Sequence, residues 1–130
     1  MLLYDENFKT SKVIDVTDYW IFCELTYITG KKFTIGCVYI PPDTKYNIML
    51  TQLFETLENF EINEAIIGGD FNARTGNLTA SPWHPNPDLA QHRMSRDSHV
   101  CSRGKLFIDG IVNSNLALLN GHCRSDAVGE

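Results

Sequence analysis

The order of elements between Phe33 and Asp70 constrains this chain more than any other feature. The run "FTIGCVYI" (33–40) alternates through Phe33, Ile35, Cys37 and Tyr39, which is the period of a strand. Pro41-Pro42 ends it, because proline cannot donate to a ladder. Beyond the prolines, Leu50, Leu53, Phe54, Leu57 and Phe60 recur at helical spacing, with Asp43 or Thr44 placed to cap the helix. Then comes "EAIIGGD" (64–70), a short apolar run that reads as a central strand. Strand, helix and strand in that order form a crossover, so the two strands run parallel and the fold class is α/β. Upstream, "WIFCELTYI" (20–28) alternates through Ile21, Cys23, Leu25 and Tyr27, and the short "TGKK" makes a hairpin of it with 33–40.

A parallel pair fixes where chemistry can sit. In open α/β sheets, ligands bind outside the carboxyl ends of strands, here Tyr39 and the segment Asp70-Phe71-Asn72. An extended backbone would put Asp70 and Asn72 on one face and Phe71 on the other. A carboxylate there can orient or deprotonate water, and an amide can donate to a phosphate oxygen as charge builds on it. Gly68 and Gly69 leave room for a ligand or another backbone to approach. The same letters also spell an Asx-turn that closes the strand, with Gly76 completing the loop, and local chemistry alone favours that turn.

The remaining sequence sets limits. At 130 residues, 43% hydrophobic and 21% charged, the chain has the size and composition of one globular domain. No window approaches the roughly 18 apolar residues of a membrane span, so no membrane role is expected. Four widely spaced cysteines suggest neither a zinc ribbon nor a disulfide framework, and a reducing, intracellular compartment is the default. A net charge of −5 argues against nucleic-acid binding by bulk electrostatics. Locally the balance differs: Arg74, Arg93, Arg96, Arg103 and Lys105 face only Asp88 and Asp97 between positions 74 and 105, which suits a phosphate-facing loop or a solvated one. Residues 77–103 form a long polar segment carrying Pro82, Pro85 and Pro87. A second helix is predicted from about Lys105 to Asn115, burying Phe107, Ile108, Ile111 and Val112, and "LALLN" (116–120) reads as a further strand. Trp20, Phe22, Phe33 and Phe54 read as core aromatics, and Trp83 as a loop residue folded back onto the core. His84, His92, His99 and Cys101 match no compact zinc spacing and read as surface residues.

"VYIPPD", followed after a helix by "IIGGDFNARTG" and then "HRMSRDSHVCSRGKLFIDGIVNSNLALLNG", resembles the endonuclease/exonuclease/phosphatase superfamily. It is most like the endonuclease domains of non-LTR retrotransposons, and the resemblance covers the chain from about Trp20 onward. It implies a four-layer α/β sandwich of two packed sheets flanked by helices. The implied activity is hydrolysis of DNA phosphodiesters with Mg²⁺, or Mn²⁺ in its place. By the same resemblance Asp70 matches the aspartate that activates water, Asn72 the asparagine that steadies the transition state, and Tyr39 a tyrosine on the phosphate. Arg74, Arg93 and Asn120 match less defined substrate contacts. A fused reverse transcriptase would be the partner, and a working enzyme would act in the nucleus. The family's metal-binding glutamate and its closing Ser-Asp-His element have no match here, and "SRDSH" (95–99) holds the right letters in the wrong place. A domain truncated at both ends, inactive in isolation, is therefore expected. A non-catalytic remnant that binds nucleic acid through residues 74–105 is the alternative. An unrelated two-metal phosphoesterase ranks last, since it needs further ligands on neighbouring strand ends.

Overall fold

The computed structural model describes residues 7–43, 45–60, 64–78 and 95–120. Four strands, β1 (Phe8–Val16), β2 (Trp20–Tyr27), β3 (Lys32–Tyr39) and β4 (Ala65–Asp70), accompany two described helices, α1 (Tyr46–Asn59) and α2 (Ser102–Asn113). The chain is thus α/β. It divides into two compact units: one holds the sheet and the chain from Leu57 to Phe71, the other Pro42–Thr56 and the chain from Asn72 onward. No described helix is long and apolar enough to cross a membrane.

The sheet has the order β1-β2-β3-β4 and is mixed. β2 and β3 form the expected antiparallel hairpin, and β3 and β4 pair in parallel as the intervening helix requires. β1, antiparallel to β2, has no clear signature in the sequence. Its register shifts between Phe8 and Thr10 and again between Val13 and Asp15, and each bulge breaks the alternation by which a strand is read. Thr17 tightens the β1–β2 turn, its hydroxyl accepting from the N–H groups of Tyr19 and Trp20.

Both faces of the sheet are apolar at its centre, and the more deeply buried one is not the face that the apolar spacing marked. Trp20 and Phe22 on β2, with Thr34 and Val38 on β3 and Ile40 just beyond, are buried; on the marked face Cys23 and Leu25 are buried as expected, whereas Ile21, Cys37 and Tyr39 are exposed. The pairing explains the choice: Phe22 lies opposite Gly36, whose missing side chain leaves space for the ring. Trp20 also satisfies its indole N–H there, donating to Asp15 Oδ2 at 2.7 Å. Phe33 is only half-buried. β4, expected in the interior of a sheet, forms the edge of the described one, and Ile66 is 58% exposed.

In the second unit Asp43 opens α1, its carboxylate accepting from Lys45 N at 2.7 Å. Tyr46, Met49, Leu50 and Leu53 form the buried stripe, while Phe54 is half-buried and stacks obliquely on Phe107 of α2 with centroids 6.4 Å apart. α2 starts earlier than predicted because Cys101 caps it, Sγ accepting from Gly104 N at 3.3 Å. It buries Phe107, Ile108 and Ile111, but Val112 faces out. The helix ends in a Schellman motif: Asn115 takes φ +53°, its N–H reaches Val112 O, and Leu116 N–H reaches Ile111 O. Residues 116–119 then leave without forming the strand predicted for "LALLN". A strand exists only as one side of a ladder, and no described strand pairs with this segment.

Tyr46 is 2% exposed, and its hydroxyl has no hydrogen-bond partner among the described residues. Burial, partly offset by the Arg103 charge, pushes its pKa up to about 12. Folding therefore favours the protonated phenol. Stability should be unaffected by this group below pH 10 and fall between pH 10 and about 12, by roughly 2–3 kcal/mol. Tyr46→Phe removes both the titration and the orphaned hydroxyl, worth about 1–3 kcal/mol when buried without a partner. Urea unfolding at pH 8 and pH 11 should show the variant at least as stable as the wild type and less sensitive to alkali. Equal loss of stability in both proteins would disprove the assignment.

Candidate functional site

The last step of the parallel ladder pairs Tyr39 with Asp70. In-register residues on neighbouring strands share a face. The phenol and the carboxylate therefore stand side by side at the carboxyl end of two parallel strands, with Tyr39 53% exposed and Asp70 exposed. The ladder runs one bond further, Ile40 N donating to Asp70 O at 2.9 Å, before Pro41 closes it. The same face carries Ile35 beside Ile66 and Cys37 beside Gly68.

Gly69 makes this placement attainable. Its φ is +150°, and a Cβ there would lie 1.9 Å from the carbonyl oxygen of Val38. Only a residue without a side chain lets the two backbones meet so closely. Gly68 is different: a Cβ there would meet nothing within 4 Å. Of the two glycines, one is required by the approach of another backbone and the other faces open space.

Beyond Asp70 the backbone does not stay extended. Residues 71–74 form no strand, and Asn72 sits in the left-handed region with φ +47°, which asparagine tolerates better than most residues. The period-two argument that set Asn72 on the face of Asp70 therefore does not apply. Arg74 follows in the second unit, 62% exposed at its side chain, with Nε donating to Asp97 Oδ2 at 2.6 Å. Asp97 also accepts from His99 N at 3.0 Å. Hydrogen bonding to the Arg74 guanidinium, then to His99 N–H, holds the Asp97 carboxyl below its usual range. This partner of Arg74 was not foreseen, since 23 residues separate the two in sequence.

The backbone of Arg74 is anchored as well. Its carbonyl accepts from Cys101 N at 3.0 Å, and a Cβ on Gly104 would lie 2.0 Å from that oxygen, so the first turn of α2 rests directly on this segment. Thr75 bridges Val100, and Ser95 N donates to Asn77 Oδ1 at 2.9 Å. Asn120 is exposed at the end of the described chain, and Arg93, His84, His92 and Trp83 lie outside the described residues. Among the described residues no three His, Cys, Asp or Glu side chains gather as a metal cluster would.

A parallel pair that ends in an exposed tyrosine and aspartate lies where open α/β sheets take their ligands, outside the carboxyl ends of the strands. Residues 33–126 match the family described as endonuclease-reverse transcriptase, and the chain belongs to that family, within the endonuclease/exonuclease/phosphatase superfamily. No curated protein matches the chain. No solved structure matches it either.

The two glycines before Asp70 separate cleanly by mutation. Gly69→Ala should destabilise the fold by about 1–3 kcal/mol through backbone strain and overpacking. Gly68→Ala should be neutral or stabilising by up to about 1 kcal/mol. Chemical denaturation of both variants checks this, and similar stabilities would mean that β3 and β4 do not approach as described.

Proposed function

We propose that this chain carries the Asp70 and Tyr39 part of the active site of a non-LTR retrotransposon endonuclease, which hydrolyses phosphodiester bonds of DNA with Mg²⁺. The observation that carries the reading is the in-register pairing of Tyr39 and Asp70 at exposed strand ends in a chain of this family. Asp70 orients water and accepts its proton, and the Tyr39 phenol donates to a phosphate oxygen. Asn72 supplies an amide donor to the pentavalent centre. Arg74 contributes positive charge at the substrate, and Arg93 and Asn120 are proposed as further contacts. Mg²⁺ or Mn²⁺ would neutralise charge on the phosphate, but Asp70 is taken as the base and no described carboxylates gather beside it, so no described residue is assigned to hold the cation.

The apolar face that carries Tyr39 and Asp70 supports the four-layer arrangement. Ile21 and Ile66 are exposed on it, and a second sheet packed there would bury both. A reverse transcriptase fused to the domain, and action on DNA in the nucleus, complete the proposal.

Nicking of supercoiled plasmid by a protein that joins this segment to the family's metal-binding glutamate and closing Ser-Asp-His element tests it; the isolated chain should nick no more than its Asp70→Asn control. Activity should require Mg²⁺ or Mn²⁺, vanish with chelator, and fall on the order of 10²- to 10⁴-fold in Asp70→Asn, which keeps shape and removes the base. Asn72→Gly is the better probe at the next position, because glycine keeps φ +47° without strain and deletes only the amide. It should lose roughly 10²- to 10³-fold. Nicking that survives chelation or the Asp70→Asn exchange would overturn the reading.

A further inference from the structure

The segment that begins at Arg74, four residues beyond Asp70, is clasped by residues 95–104 of the same unit. The Arg74 carbonyl accepts from Cys101 N at 3.0 Å, Thr75 bridges Val100, and Ser95 N donates to Asn77 Oδ1 at 2.9 Å. Gly76, at φ +51°, fits so closely that a Cβ would lie 2.8 Å from the Ser98 carbonyl oxygen. The backbone that carries the guanidinium is therefore fixed. So is the inner corner of the guanidinium itself, since Nε donates to Asp97 Oδ2 at 2.6 Å while Asp97 Oδ1 accepts from His99 N at 3.0 Å. Both carboxylate oxygens are engaged, so Asp97 is a fixed acceptor.

Such a pair is poorly explained by stability. It rests on one hydrogen bond between side chains 62% and 42% exposed, and ion pairs of that kind add little to a fold. Its geometry is more telling. A guanidinium is a planar fork of five N–H donors, and Asp97 takes only the Nε corner. Nη1 and Nη2 bond no described residue, and the edge they share faces away from the side-chain stem. That edge matches two oxygens of a phosphate. We propose that Asp97 is a positioning residue, which holds Arg74 by Nε so that its Nη1–Nη2 edge is presented to two oxygens of a DNA phosphate. The inference rests on the proposed function for its ligand and adds to it the residue that aims the arginine. Through its charge alone, a carboxylate beside a phosphate site opposes binding. Through its hydrogen bond it favours binding, because a loose arginine must otherwise be immobilised when the phosphate arrives.

The two effects separate by experiment, with a short fluorescein-labelled DNA duplex as the probe and binding to the chain read by anisotropy at several salt concentrations. Asp97→Asn and Asp97→Ala remove the same charge, but only asparagine keeps an acceptor for Nε. Asp97→Ala should bind roughly 2- to 10-fold more weakly than Asp97→Asn. Arg74→Ala should make the slope of log K against log salt shallower by about 0.9, the share of one phosphate contact. Combined with Arg74→Ala, the two Asp97 variants should bind alike, since the effect runs through the arginine. A residue that merely supported the fold would keep its effect there. Without DNA, the Arg74 Nε–H of the wild type should show an NMR order parameter nearer the roughly 0.85 of rigid backbone than the 0.6 of flexible chain, and Asp97→Ala should lower it. Equal binding by Asp97→Asn and Asp97→Ala, a difference that persists without Arg74, a wild type that binds no duplex, or a mobile Nε–H in the wild type would each overturn the proposal. The reading of Asp70 and Tyr39 fails on a separate result, nicking by the joined protein that survives Asp70→Asn.

Discussion

Two backbones meet at Val38 and Gly69, and the chemistry of the strand ends depends on that meeting. A side chain on Gly69 would occupy the place of the Val38 carbonyl oxygen. With none there, β4 keeps register with β3 to its last residue and delivers Asp70 beside Tyr39. The prolines set the other limit, because Pro41 stops the ladder immediately after Ile40 has bonded to Asp70. A local rule about one residue without a side chain and another without an N–H thus defines where a carboxylate and a phenol can act together.

Much of this frame was legible in the sequence. The hairpin of β2 and β3, the helix after the prolines and the parallel return of β4 follow from spacing and proline chemistry. Tyr39 and Asp70 were legible for the same reason, since both end strands of one crossover. What spacing could not reveal was which face of the sheet is buried more deeply. β2 and β3 carry apolar residues on both faces, so Ile21 and Phe22 look equivalent until Gly36 makes space for one of them. Nor could alternation find β1, whose bulges interrupt it, or foretell that Asn72 leaves the extended region. "LALLN" shows the opposite error: apolar residues in strand-like order do not make a strand without a partner to bond.

The second unit is organised by contacts between residues far apart in sequence, which is why little of it was foreseen. Cys101 and Gly104 matter because Arg74 lies against them, and Asp97 because Arg74 reaches it. Tyr46 was not among the helix positions chosen for the core, which were read from Leu50 onward, yet it is among the most deeply buried side chains. Its unsatisfied hydroxyl shows that the interior took the ring at the expense of the oxygen.

The bridge between Thr75 and Val100 bears on what holds the start of α2 in place. Because these two residues are already joined, and Asn77 to Ser95 beside them, the stretch of sequence enclosed by them starts and finishes at one place on the frame. Residues 75–77 and 95–100 are thus tied to each other by bonds of their own, and the start of α2 keeps its seat on the Arg74 carbonyl through contacts that the two short segments supply between them.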